Sequence, residues 1–277
     1  MSKKSALSLL ALTALLWSSS GVLIKSADWN PLAVASARGL VAALTIRFLN
    51  PAGFSFSKLT PTHWLAGSSL ALLSVFFVCA MKLTTAANTV AAQFTAPVWV
   101  VIFAPLLLKE RSKPSDWFFI AAIFGGIALF FFDSLSPGGL LGNVLAVVSG
   151  IFFASQAMFL KKIKNDNPAM AMILGNFLCF LVFLPFWGAP WPDVAGMACV
   201  LALGVFQLGV SYYLYTLTLP RVSSLELVTI TMLEPVLSPL WVFLAMGERP
   251  GKHAFLGCLV VIVMVFVWGV KKAKEEE

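Results

Sequence analysis

Charge is what this chain has least of. Of 277 residues only 11% are Asp, Glu, Lys or Arg, 60% are hydrophobic, and the mean hydropathy is +0.92. That leaves too little polar surface to coat a soluble globule of this length. Histidine is scarce as well: His63 and His253 sit at the edges of apolar runs, too far apart to suggest a metal pair. HExxH, GxSxG and P-loop patterns are absent, which argues against an intramembrane enzyme. The four cysteines, Cys79, Cys179, Cys199 and Cys258, fall in apolar runs without a CxxC spacing. Neither disulfides nor a thiolate metal site is therefore expected, and the cysteines read as small apolar fillers. No cofactor is implied.

What the chain does have is long hydrophobic runs, approximately 5–24, 31–49, 63–81, 86–108, 115–132, 138–160, 168–188, 194–217, 223–246 and 253–270. A membrane span takes about 20 residues, so ten spans use roughly 200 and leave no room for a separate soluble domain. The formal charge of +7 invites a nucleic-acid reading, but the placement of the charges argues otherwise. With a cytoplasmic N-terminus, inside segments carry fourteen Lys and Arg: Lys3, Lys4, Arg47, Lys58, Lys109, Arg111, Lys113, Lys161, Lys162, Lys164, Arg221, Lys271, Lys272 and Lys274. Outside segments carry four, Lys25, Lys82, Arg249 and Lys252, and Arg38 alone lies within a span. The positive-inside rule then explains the basic balance as topology, with both termini cytoplasmic. No nucleic-acid partner is expected, and the lipid bilayer is the expected surrounding.

The chain also repeats itself. Pro97 to Glu110-Arg111 returns 138 positions later as Pro235 to Glu248-Arg249. Pro31 opens the second run as Pro168 opens the seventh, and Trp17-Ser18-Ser19-Ser20-Gly21 with Lys25 is echoed by Phe153-Ala154-Ser155-Gln156-Ala157 with Lys161. The echo argues against a cleaved signal peptide, the rival reading of the first run, because a removed segment has no reason to match an internal helix. Five spans per half is an odd number, so the second half enters the membrane inverted. The expected fold is all-α, ten transmembrane helices as two inverted five-helix repeats, residues 1–135 and 136–277. Gly138, Gly142, Ala146, Gly150 and Ala154 recur every four residues, a smooth stripe that lets a neighbouring backbone approach. Gly125-Gly126 and Gly204 with Gly209 add similar positions.

Taken in order, Trp17-Ser18-Ser19-Ser20-Gly21, Pro31 followed by Arg38, Pro97 to Glu110, and Leu233-Glu234-Pro235 to Gly247-Glu248-Arg249 resemble the EamA-type branch of the drug/metabolite transporter superfamily. The resemblance covers nearly the whole chain. It implies ten helices around a central cavity and export of amino acids or other small metabolites, by exchange, diffusion or proton coupling.

Candidate solute-handling residues follow from the cost of polar groups in lipid. An Arg at the centre of a span costs about 2.5–3.5 kcal/mol, so Arg38 marks either a fork for a solute carboxylate or phosphate, or a partner among backbone carbonyls. Glu234, just before Pro235, reads foremost as a brace at a proline kink and second as a proton carrier. Glu226, nearer the cytoplasmic mouth, is the preferred candidate for coupling or for a solute amine. Glu110 and Glu248 close their spans and read as structural or gate elements. Pro97 and Pro235, with Pro105 and Pro239, interrupt corresponding helices, a pointer to moving or solute-contacting segments. Trp17, Ser20, Asn88, Gln93, Trp99, Gln156, Asn176, Gln207, Tyr212 and Tyr215 complete an expected aromatic pocket with a few amides, suited to a small amphipathic solute. Trp64, Trp117, Trp187, Trp191 and Trp268 read as interfacial anchors.

These features point to a secondary transporter in a bacterial-type inner membrane, exporting a small amphipathic metabolite, foremost an amino acid, by alternating access of the two halves. A drug, nucleotide or sugar-phosphate carrier is the alternative, and a channel would show flux without saturation or exchange. The duplicated halves allow a monomer to suffice.

Overall fold

The computed structural model describes all residues except 94, 110–112, 133–136, 189, 235–236, 238–240, 242, 246, 248–251 and 275–277. Among the described residues the chain is all-helical. In chain order the helices are α1 (Lys3–Ser18), α2 (Ser20–Ser26), α3 (Pro31–Leu49), α4 (Pro61–Leu83), α5 (Ala86–Gln93), α6 (Ala96–Leu107), α7 (Pro114–Phe132), α8 (Pro137–Lys162) and α9 (Ala169–Phe183). They continue as α10 (Val194–Ala202), a π-helical segment (Leu203–Val210), α11 (Ser211–Thr218), α12 (Ser224–Ile230) and α13 (Lys252–Lys274). Among the described residues six stretches are long and apolar enough to cross a membrane: Lys3–Ser26, Pro31–Leu49, Pro61–Leu83, Gly139–Lys162, Ala169–Phe186 and Val194–Thr218.

Local signals explain the boundaries. Pro31 occupies the first turn of α3, where a missing N–H costs nothing, and the Asn30 side chain accepts from Leu32 N at 2.9 Å. Thr60 and His63 form a capping box at the start of α4, and Ser223 and Glu226 do the same at α12. The first apolar run is not one straight helix. It kinks at Ser19, where Ser18 and Ser19 donate their hydroxyls to the carbonyls of Leu15 and Leu16, at 2.6 and 2.7 Å. The fourth run divides into α5 and α6. Pro97 lies in the first turn of α6 and cannot donate to the carbonyl of residue 93, so the helix restarts after Thr95.

The small-residue stripe of α8 packs against that divided segment and the end of α4. A Cβ on Gly150 would run into the carbonyl oxygen of Gln93, and one on Gly142 would come within 2.8 Å of Thr84 Cβ. Gly204 and Gly209 let the π-helical segment lie directly on α3, against Val41 and Thr45. The most extensive pairings are α4 with α8, α3 with α9, α7 with α13, and α4 with α9.

Of the tryptophans read as interfacial anchors, Trp268 is only 3% exposed and packs inside the protein instead. Trp187 and Trp191 stand around Trp29, with ring centroids 5.6 and 5.1 Å from it, and Trp187 donates its indole N–H to Ser36 Oγ at 2.8 Å. Trp191 is 55% exposed.

Candidate functional site

The sharpest break in regular backbone lies between α10 and α11, where eight residues wind as a π-helix. Such widened turns expose backbone groups and redirect side chains, and they recur at functional sites. Here the segment aims Gln207 at α3. Gln207 Oε1 accepts from Arg38 Nη1 at 3.3 Å, and the Gln207 carbonyl accepts from Ser211 Oγ. Ser211 Oγ in turn accepts from Trp17 Nε1 at 2.8 Å, which ties α1 to the same place.

Arg38 is 1% exposed. Its Nη2 donates to Ser74 Oγ at 2.8 Å and to the Ser74 carbonyl at 3.3 Å, while its Nε has no hydrogen-bond partner among the described residues. The guanidinium is thus anchored at its far nitrogens and keeps one donor unused. It lines a narrow cavity together with Trp17, Leu73, Ser74, Phe77, Gln93, Phe153, Gln207, Leu208, Tyr212 and Glu234. Four rings contribute to the wall, Trp17, Phe77, Phe153 and Tyr212. Trp17 meets Phe153 edge-on at 5.6 Å and Tyr212 at 5.2 Å, and Tyr215 packs behind it, tilted, at 5.5 Å. The cavity carries one cation and one carboxyl group. Glu234 is 4% exposed, and Ser20 donates its hydroxyl to Glu234 Oε1 at 3.5 Å.

Trp17, Arg38, Gln93, Gln207, Tyr212 and Glu234, all singled out from the sequence, come together in this wall, and Ser20 stands beside Glu234. Tyr215 lies behind Trp17 and is fully buried. Gln156 and Asn176 are buried next to Met172, outside the wall: Gln156 Nε2 meets Met172 Sδ at 3.1 Å, and Asn176 Nδ2 donates to the Met172 carbonyl at 2.9 Å. Asn88 donates to Thr84 Oγ1 at 3.4 Å, and Trp99 donates to Thr95 Oγ1 at 3.2 Å, both as local bonds away from the cavity. Pro97 shapes the α5–α6 break. Glu226 sits elsewhere, with Oε1 3.0 Å from Lys3 Nζ and Oε2 accepting from Ser223 N at 2.7 Å, as part of a helix cap. Pro235, Glu110 and Glu248 lie outside the described residues.

Leu73, Ser74, Phe77, Phe153 and Leu208 complete the wall without having been singled out as site residues. Ser74 is the partner of Arg38, and a hydroxyl within an apolar run was its only signal. Phe153 is the position that echoes Trp17, and the two rings touch.

The EamA-like transporter family model matches residues 4–132 and residues 140–269. An uncharacterized transporter of Archaeoglobus fulgidus is 26% identical over 95% of this chain and 97% of its own. An aromatic amino acid exporter, YddG of Ancylobacter novellus, is 24% identical over 68% of each chain. A crystal structure at 20% identity superposes with a TM-score of 0.75, over 95% of this chain and 96% of that one, which shows a shared fold. A helical chain with spans of membrane length, matched by this family over nearly all its residues, is a multi-pass membrane transporter: it belongs to the EamA-like transporter family.

Proposed function

We propose that this transporter exports a small amphipathic carboxylate, foremost an amino acid, through the cavity at Arg38. The observation that carries the reading is the buried guanidinium with an unused Nε, in a cavity wall that also holds four aromatic rings. A buried cation with a spare donor favours an anionic group, and the planar fork suits a carboxylate. Trp17, Phe77, Phe153 and Tyr212 offer apolar contact to the rest of the solute, and Gln93 and Glu234 offer acceptors to an ammonium group. The exporter among the relatives supports the same direction.

Transport in this reading proceeds by alternating access of one central site. Ten spans form two inverted repeats, residues 1–135 and 136–277, which the two segments matched by the family model support. The chain lies in a bacterial-type inner membrane with both termini cytoplasmic, as the fourteen-to-four placement of Lys and Arg favours. The duplicated halves allow a single copy to suffice.

The test is counterflow in proteoliposomes loaded with mixed amino acids, following each labelled amino acid in turn. Saturable exchange with competition supports the reading. Exchange of phosphorylated metabolites but of no amino acid replaces the carboxylate by phosphate, and non-saturating flux sinks the carrier.

A further inference from the structure

Behind the cavity wall lies a second group of polar side chains that neither the fold nor the proposed cavity accounts for. Gln156 and Tyr215 are 0% exposed and Asn176 is 1% exposed. Gln156 Oε1, Asn176 Oδ1 and the Tyr215 hydroxyl have no hydrogen-bond partner among the described residues. A buried polar atom without a partner is a liability of a kind that folded proteins seldom keep. Three of them in one neighbourhood call for a reason.

They do share one neighbourhood. Gln156 of α8 and Asn176 of α9 both use their amide nitrogens on Met172, one on its sulfur and the other on its carbonyl. Each amide thereby turns its N–H side inward to the protein and leaves its oxygen over. Gln156 is also a side-chain hydrogen-bond partner of Tyr212, which belongs to the cavity wall, and Tyr215 packs edge-on against Tyr212 at 6.3 Å. The group is therefore one aromatic ring away from the cavity. Its unused chemistry is one-sided: two amide oxygens that only accept, and a phenol that accepts or donates. No charged side chain belongs to the group, so the fitting ligand is a neutral hydrogen-bond donor and not an ion.

We propose that Gln156, Asn176 and Tyr215 form a specificity subsite that takes a neutral hydrogen-bond donor, a hydroxyl, amide or ring N–H, at the end of the solute remote from its carboxylate. The inference rests on the carboxylate reading of Arg38. The carboxylate occupies the Arg38 end, the apolar body lies along Trp17 and Phe153, and the remote donor passes Tyr212 to reach the amide oxygens. A site with buried acceptors discriminates strongly against a solute that lacks the donor, because the acceptors then stay unpaired in the complex.

The experiment compares matched solutes as competitors of amino-acid exchange in proteoliposomes: tyrosine against phenylalanine, and glutamine against methionine. The wild type is expected to prefer the donor-bearing member of each pair by about tenfold or more. Asn176→Leu and Gln156→Met are expected to bring both ratios toward one, and Tyr215→Phe to reduce them partly. A second readout is the unfolding temperature of each purified variant. Removing an acceptor that has no internal partner leaves it unchanged or raised, whereas removing a structural brace lowers it. Wild-type ratios near one, or ratios that the variants leave unchanged, overturn the subsite while the carboxylate reading stands. If the wild type exchanges no amino acid at all, the carboxylate reading fails and the subsite falls with it. Exchange of other amino acids but of none of these four overturns the subsite alone, as does a fall in the unfolding temperature of Asn176→Leu and Gln156→Met.

Discussion

Helices α3 and α9 lie against each other, and each begins at a proline, Pro31 and Pro168, 137 positions apart. The residue seven places further on is Arg38 in α3 and Gly175 in α9. Arg38 turns into the cavity, whereas Gly175 is a contact point: a Cβ there would strike the Gly67 carbonyl and approach Leu70 Cβ to 2.9 Å. No side chain, least of all an arginine, fits at Gly175. Corresponding places in the two halves thus divide two tasks, charge on one helix and close packing on the other. The cavity is lopsided as a result: the guanidinium comes from α3 and has no counterpart on α9.

The comparison can be broken most directly at Arg38. Arg38→Ala is expected to weaken competition by carboxylated solutes about 100-fold, the effect of losing roughly 3 kcal/mol of charge-assisted contact, in a protein that still folds. Arg38→Lys, which supplies the charge without the fork, is expected to recover only part. Unchanged competition in both variants would remove Arg38 from the site. At the matching place, Gly175→Ala is expected to cost about 1–3 kcal/mol of stability through overpacking, read as a lowered unfolding temperature with exchange affinity retained in the folded fraction. A fully stable Gly175→Ala protein would show that α9 has slack to yield.

Smaller effects sharpen the picture. Glu234→Gln keeps a partner for Ser20 and removes a carboxylate from the wall that holds Arg38. Competition by carboxylates that lack an amine should tighten about fivefold, near 1 kcal/mol for one like charge at this range, while amino acids lose the acceptor of their ammonium group; weaker competition by the amine-free carboxylates would count against the shared wall. Glu226→Gln should change exchange least, within about twofold. It loosens a partly exposed bridge to Lys3 that contributes about 1 kcal/mol or less. A large effect on exchange would return Glu226 to solute coupling.

The helices were legible in the sequence because apolar runs bounded by Pro, Gly and charge are long and unambiguous. Arg38, Glu234 and Gln207 were legible because polar groups in lipid must have a reason. Glu226 drew notice for the same cause, and its position three residues after Ser223 also carried the signal for the capping box that holds it. The kink at Ser19 and the π-helical turn had no comparable signal. Both depend on hydroxyl and carbonyl partners that only the packed chain supplies. Leu73, Phe77 and Leu208 could not be told from dozens of other apolar residues.

The pattern of helix pairing has a further consequence. The broadest pairings, α4 on α8, α3 on α9 and α7 on α13, each join an early helix to a late one, and Trp17 fastens α1 to Ser211 of α11. The place where the chain could be cut in two is thus not the plane along which the folded molecule would come apart. Two fragments made at residue 135 would each lack their principal neighbours, and should hold shape only when made together. Each packed layer of the molecule is then assembled from strips of both ends of the gene product.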